Sequence, residues 1–320
     1  MSASNRNGRA LEFAYLIVLE KMIKPIRNVV IIQNSSFEVC KFAWNEIDKN
    51  IQDIFIISTM AGINAILESE PLILDTTDSL DILELKIQQD TEGKTGDVRD
   101  ILIIRGNISW EIGISIKNNH FAVKHSRLSN KLDFGEKWFG IKCSCNYWND
   151  IEPIFSYLTE CKFKGLKWNE ISSKENDVYK PLLSAFLNEI KNSYNIHGEL
   201  IAKNMVEYII GKYDFYKTVS VTNKKLTTVQ PYNLRGMLNK PTKKQKPKLI
   251  VPIAKLPTRI INADFKPNSN NTVEIFMDEG WQFSFRIHNA STKVENSLKF
   301  DIKIIGMPTS IISIDYRWDD

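Results

Sequence analysis

Two neighbouring stretches decide how this chain folds: Asp100-Ile-Leu-Ile-Ile-Arg105, an apolar run bounded by Gly96 and by Gly106-Asn107, and Trp110-Glu-Ile-Gly-Ile-Ser-Ile-Lys117, which alternates strictly. In the second stretch Ile112, Ile114 and Ile116 take one side of an extended backbone, and Glu111, Gly113, Ser115 and Lys117 take the other. The pair reads as a β-hairpin with one apolar and one polar face. Its register depends on the turn: a two-residue turn at Gly106-Asn107 pairs Asp97 with Ile116, whereas a four-residue loop from Gly106 to Ser109 pairs Asp100 with Ser115. The second is preferred, because the apolar strand begins directly after Asp100.

Helical spacing surrounds the hairpin. Leu11, Ala14, Tyr15, Val18, Leu19 and Met22 place a helix over Arg9 to Lys24, stopped by Pro25. A second helical stretch spans Ser36 to Ala65, as one helix or two, and Leu80 to Gln89 reads as a third piece. After the hairpin, helical patterns run over 152–160, 179–194 and 199–212. Strand-like segments follow at 216–222, 248–252, 272–277, 281–288, 298–305 and 311–316. Residues 240–248 hold five lysines and two prolines and read as a mobile basic loop.

With 43% hydrophobic and 25% charged residues in 320, the chain has ample material for one large core or two ordinary ones, and disorder is excluded. Cys40, Cys143, Cys145 and Cys161 are too few and too scattered for a disulfide framework, and Cys143-x-Cys145 lacks a second ligand pair for zinc. The opening MSASNRNGRALEF lacks the pattern of a signal peptide, and the apolar stretch Phe55 to Leu67 is broken by Ser58, Thr59 and Asn64. The expectation is a cytoplasmic protein with no membrane partner. Charge is uneven: residues 1–215 carry 25 basic and 29 acidic side chains, residues 216–320 carry 17 and 9. A basic region joined to a slightly acidic one suggests a polyanion partner.

The hairpin carries the chemistry. A carboxylate at the head of one strand, Asp100 or Asp97, faces the polar side of a strand that ends in Lys117, and Ser115 and Lys117 stand about 7 Å apart on that face. Carboxylates beside an amine suit phosphodiester hydrolysis, in which carboxylates hold a divalent cation and a lysine orients or deprotonates water. Histidine is not required.

SNRNGRALEF at 4–13, GDVRDILIIR at 96–105, WEIGISIKNNHFAVKHSRLS at 110–129, DFGEKWFG at 133–140 and FRIHNASTKVENSLKFDIKIIGMP at 285–308 resemble the HaeIII-type restriction endonucleases. The resemblance implies a homodimeric type II enzyme of the PD-(D/E)XK nuclease superfamily that uses Mg2+ to cut double-stranded DNA within GGCC, leaving blunt ends. It implies a cognate DNA methyltransferase as a functional, not physical, partner. The expected fold is α/β: a PD-(D/E)XK nuclease-like core with a mixed sheet flanked by helices over 1–215, then a β-rich basic DNA-clamp region over 216–320.

One departure stands out. The superfamily pattern wants Asp or Glu two residues before the lysine, and that position is Ser115. The replacement is expected from Glu111 on the same strand face, Glu12 on the first helix, or Glu136 downstream. Glu111 is the first choice and joins Asp100 as expected metal ligand, although it lies about 20 Å from Lys117 along an ideal strand, a gap that needs a bulge or a bridging Asp100. The expected catalytic set is therefore Asp100, Lys117, Glu111, Asp97 and Glu12. For DNA contact, Asn119, His120, Lys124, His125 and Arg127 follow the catalytic strand, and Arg286, Asn289 and Lys293 form a second polar cluster. The rivals are a non-catalytic sequence-specific DNA-binding protein, with Ser115 marking a dead site, and a repair or recombination nuclease of the same superfamily.

Overall fold

The computed structural model describes residues 3–76, 80–89, 96–119 and 124–318. The chain divides into two compact units, neither continuous in sequence: Met1–Phe121 with Lys212–Ala254 and Thr309–Asp320, and Ala122–Gly211 with Lys255–Pro308. A single cut at residue 215 is therefore not the division. The strand after it, Phe215–Val221, pairs in parallel with the hairpin strand Trp110–Asn118, which draws the segment from 212 to 254 into the first unit.

Elements are numbered along the chain. The first unit contains α1 (Ala3–Ile23), β1 (Val29–Ile32), α2 (Ser35–Asn45), α3 (Lys49–Ser69), α4 (Pro71–Leu74), β2 (Leu83–Ile87), β3 (Ile101–Arg105), β4 (Trp110–Asn118), β6 (Phe215–Val221), β7 (Leu226–Tyr232) and β12 (Ile314–Arg317). Among the described residues its strands form one mixed seven-stranded sheet, ordered β1-β2-β3-β4-β6-β7-β12, with β1 parallel to β2 and β4 parallel to β6. The α1 face built from Leu11, Ala14, Tyr15, Val18 and Leu19 is fully enclosed and packs in one core with Ile112, Ile114 and Ile116 of β4. Each such aliphatic side chain contributes about 1.5–3 kcal/mol on burial.

Two expectations change here. The stretch 80–89 is not helical: Leu83, Leu85 and Ile87 are buried at every second position, and a period of two makes a strand. No strand forms at 248–252, where side chains serve the backbone instead: Asn233 donates to the Val251 carbonyl and Val251 N–H donates to Asn239 Oδ1. β4 is a central strand, and Ser115 on its polar face is buried. The helix α3 is long and apolar enough to cross a membrane by length and composition, and here it packs on α1 and β7.

A buried ion network closes the sheet end near α4. Asp81 accepts from Arg27 at 2.9 Å and from Arg105, while both arginines also donate to the Leu72 carbonyl. Pairing and hydrogen bonding are what make such charges tolerable away from water.

The second unit contains β5 (Lys124–Ser129), α5 (Phe134–Phe139), α6 (Cys145–Phe163), α7 (Lys180–His197), α8 (Glu199–Ile210), β8 (Ile260–Phe265), β9 (Thr272–Met277), β10 (Gln282–His288) and β11 (Ser297–Gly306). Its antiparallel sheet has the order β5-β11-β10-β9-β8. Leu128, Leu298, Phe300, Ile302, Phe283, Phe285 and Ile287 fill one face, and Trp138 joins them, stacked on Tyr208 at 5.0 Å and on Phe285 at 5.9 Å. The other face carries the exposed Arg127, Arg286 and Lys303.

Glu70, at the start of α4, is fully buried and accepts from Tyr216 Oη at 2.6 Å and Asn239 N at 2.7 Å. Burial pushes its carboxyl up to about 8, helped by the Asp214 charge and opposed by those two donors. Between the ordinary carboxylate value and about 8 the folded chain keeps a proton that the unfolded chain has released, so rising pH drains stability by about 1.4 kcal/mol per unit at most. Glu70→Gln keeps the acceptor and removes the titration. It is expected to flatten the fall in melting temperature between pH 5 and 8 and to melt above wild type at pH 8; parallel curves for the two proteins contradict the assignment.

Candidate active site

The β3–β4 ladder runs from Arg105 opposite Trp110 to Ile101 opposite Ile114, joined through a single 3-10 turn, Gly106–Ile108, and Ser109 in the left-handed region at φ 51°. The four-residue connection is thus the one formed, and Asp100 stands opposite Ser115. There the two strands part. The Ile116 N–H donates at 2.5 Å to Asp100 Oδ2, a side-chain oxygen, and the same oxygen accepts from Lys117 Nζ at 3.3 Å. Both side chains stay about a quarter exposed, 24% for Asp100 and 28% for Lys117, so this corner is open to a ligand.

Glu12, on α1, is near enough to feel the Asp100 charge. Its Oε2 accepts from Arg9 Nη1 at 2.9 Å and from Cys40 Sγ at 3.3 Å. Burial pushes its carboxyl up to about 7, and the next cause is the Asp100 charge, which also raises it; Arg9 and Cys40 pull the other way. Two carboxylates that repel one another at a partly open corner favour a cation between them.

Glu111 and Asp97 are engaged elsewhere. Arg99 donates from Nη2 to Asp97 at 2.6 Å, from Nε to Asp97 at 2.8 Å and from Nη1 to Glu111 at 2.7 Å. Its guanidinium lies 4.2 Å from the centre of the Tyr213 ring. Its stem crosses β4 at Gly113, where an added Cβ would fall 2.2 Å from Arg99 Cδ, so only glycine admits it. Glu111, the first choice from sequence, therefore neutralises Arg99 instead of reaching toward Asp100. The Arg-x-x-x-x-x-x-x-x-x-x-x-Glu separation of 99 and 111 gives no sequence signal for this contact; the hairpin register alone creates it.

Lys217 was passed over in the sequence. It lies on β6 beside Ser115 in the parallel ladder and is buried. Burial lowers its pKa to about 8, with the Lys117 charge acting in the same direction. The strand-like character of 216–222 was visible, but its pairing with β4, across almost a hundred residues, was not.

The expected DNA-contact residues scatter in role. Asn119 clasps the strand end, accepting from Thr222 N at 2.9 Å and donating to Thr222 Oγ1 at 3.0 Å. Lys124 donates to the Tyr208 carbonyl at 2.6 Å over the Tyr208 ring. Asn289 donates to the Ser291 carbonyl, and the Lys293 backbone bridges to Lys167 while its side chain is exposed. Arg127 and Arg286 remain half exposed at 47% and 55%, touching Glu295 and Asp301 at 3.6 and 3.4 Å. His120, with Phe121 and Val123, and the side chain of His125 lie outside the described residues. Glu136 belongs to the second unit, exposed in the first turn of α5. Among the described residues no group of three or more His, Cys, Asp or Glu is placed to hold a metal, so Glu12 and Asp100 are a pair without a third ligand of that kind.

None of the solved structures matches this chain. The chain is 52% identical over 317 residues to the type II restriction enzyme HaeIII of Haemophilus aegyptius, covering 99% of each protein. The family model described as HaeIII restriction endonuclease matches residues 8–308, which take in Glu12, Asp100, Lys117 and the whole polar face of the second sheet. By that match over nearly its full length, the chain belongs to the HaeIII restriction endonuclease family.

Proposed function

We propose that this type II restriction endonuclease cuts double-stranded DNA within GGCC to leave blunt ends, with Asp100, Lys117 and Glu12 as the working residues of a PD-(D/E)XK core. The single observation that carries the reading is the Asp100 carboxylate, held opposite Ser115 where β3 and β4 part and in contact with Lys117. Glu12 replaces Glu111 in the expected metal pair, because Glu111 is taken by Arg99.

The donor set fits a magnesium ion, which takes one or two carboxylates and keeps several waters. Bound between Asp100 and Glu12, the ion would polarise a phosphoryl oxygen and lower the pKa of a water. Asp100 holds Lys117 by its ammonium and so fixes the amine where it meets the attacking water and the phosphate. Arg9 and Cys40 both donate to Glu12 Oε2 and fix its direction. A palindrome read by identical subunits requires two-fold symmetry, hence a homodimer, and a cognate methyltransferase protecting GGCC completes the system in function.

On the second sheet, Arg127 and Arg286 are the residues proposed to touch DNA, since their guanidiniums are the half-exposed ones on its polar face. Lys243, Lys244 and Lys246 are exposed and suit phosphate contact. Asn119 and Lys124 act as braces instead, and Asn289 holds its own turn.

Digestion of a plasmid of known sequence with Mg2+ should yield blunt ends within GGCC; ends at other sequences overturn the site, and no cleavage favours a DNA-binding protein. Asp100→Asn and Lys117→Ala are expected to lose cleavage by 100-fold or more, an estimate of about 2.7 kcal/mol or larger in the barrier, while binding GGCC DNA within about tenfold of wild type, some 1.4 kcal/mol. Glu12→Gln should need several times more Mg2+ for half-maximal rate, whereas Glu111→Gln should keep the wild-type midpoint. The reverse ranking restores Glu111 to the metal.

Alanine at Arg127 or Arg286 should reduce the preference for GGCC over a one-base variant by about 1–3 kcal/mol if that arginine holds a guanine. Equal weakening on both DNAs, with a salt slope lower by about 0.9, assigns it to a phosphate.

A further inference from the structure

One face of α3 has the composition of a buried surface and yet lies open among the described residues. Residues 54–67 hold no charged side chain on any side of the helix. A helix at the surface of a soluble protein turns its polar residues outward, and one that is apolar all round is normally buried. α3 packs on α1 and β7, but Ile54, Ile57 and Met60 each stay more than a third exposed. Beside them Ile17, Met22, Ile56 and Met60 line, with Lys21 and Asp53, an open groove of about 480 Å3. An exposed apolar surface of this kind marks a place where something docks.

The order of residues along the face points to the occupant. Asn50, Ile54, Ile57, Met60 and Asn64 are all exposed, at intervals of four, three, three and four residues, so the stripe reads the same from either end. A two-fold contact between identical chains needs a self-complementary surface, in which residue i of one copy meets residue j of the other and j meets i. Two copies of α3 crossing antiparallel on Ile57 set that residue against itself, Ile54 against Met60 and Asn50 against Asn64. Apolar groups then meet apolar groups, and at each end one amide can donate to the carbonyl oxygen of another. The charges flank this run: Lys49 pairs with Asp53 at 2.7 Å before it, and Glu68 with Lys248 at 2.9 Å after it. At 1.5 Å per residue the uncharged run is about 21 Å long, short of the ~30 Å hydrocarbon core of a bilayer, which disfavours a membrane as the cover.

We propose that this face of α3 is the two-fold interface of a homodimer, covered by the same face of a second copy that crosses it antiparallel at Ile57. This rests on the palindromic site read above, which already asks for two identical subunits, and it adds the surface that joins them. The other wall of the groove is α1, the helix that carries Glu12, so the second copy seats beside the element that bears that carboxylate.

The test is sedimentation of the full chain, free and with a GGCC duplex in the absence of divalent cation, for wild type and Ile57→Glu. Wild type is expected to sediment as a dimer. Ile57→Glu sets two carboxylates against each other on the axis and should raise the dimer dissociation constant by about 100-fold or more, with an unchanged circular dichroism spectrum. Cross-linking fixes the geometry and decides alone if that variant does not fold. In a Cys145→Ser background, which removes the exposed cysteine, Ile57→Cys should oxidise to a disulfide-linked dimer, and Ile54→Cys mixed with Met60→Cys should cross-link faster than either alone. A wild type that is monomeric with and without the duplex overturns the proposal and gives the face another occupant. So does an Ile57→Glu chain that dimerises like wild type, or an Ile57→Cys chain that cross-links no faster than Phe163→Cys at the exposed end of α6. Neither measurement depends on cleavage: a dimer through this face that leaves GGCC uncut sinks the proposed reaction alone, whereas GGCC cleavage by a chain that dimerises elsewhere sinks only this interface.

Discussion

The molecule turns on one carboxylate oxygen. Asp100 Oδ2 accepts the Ile116 amide that the β3–β4 ladder would otherwise leave unpaired, and it takes the Lys117 ammonium as well. An unpaired buried amide costs about 1–3 kcal/mol, so the strands can part at this point only because a side chain replaces the backbone acceptor. Parting opens the corner, and the same contact sets where Lys117 points. Fold and candidate chemistry thus share an atom: the ladder, the turn of four residues and the long apolar packing of α1 on β4 all serve to hold Asp100 at the split.

The carboxylates near the hairpin are sorted by arginine. Arg99 lies against Gly113 and binds Asp97 and Glu111 together, so the two carboxylates share one fixed cation that lies over the Tyr213 ring. Arg9 donates to Glu12 through Nη1, and burial, with the Asp100 charge second, pushes the Glu12 carboxyl up to about 7. The difference is one of access: Asp97 is buried on its arginine, whereas Asp100, paired with Lys117, stays about a quarter exposed where a divalent cation can reach it.

What could be read from the sequence follows from the range of each interaction. The hairpin and α1 were legible because their signals are local: strict alternation over 110–117, and helical spacing up to Pro25. The two helices within 35–69 were likewise visible, while the strand at 83–87 was mistaken for helix because three apolar residues at alternate positions make a short signal. The strands at 124–129, 226–232 and 260–265 escaped, as polar or short segments that become strands by pairing with distant neighbours. The pairing of β4 with β6 also sends 212–254 to the first unit, an arrangement that composition does not encode. Among the candidate site residues, Asp100, Lys117 and Glu12 could be picked from the sequence, but the engagement of Glu111 by Arg99 depends on register.

The most direct test of the Asp100–Glu12 centre is a crystal structure of the protein with a GGCC duplex, grown with Ca2+ to halt cleavage and then soaked in Mn2+ for anomalous scattering. The expected peak lies between the Asp100 and Glu12 carboxylates, with Lys117 facing the scissile phosphate. A peak on Glu111 or Asp97, with Arg99 displaced from them, would contradict this centre.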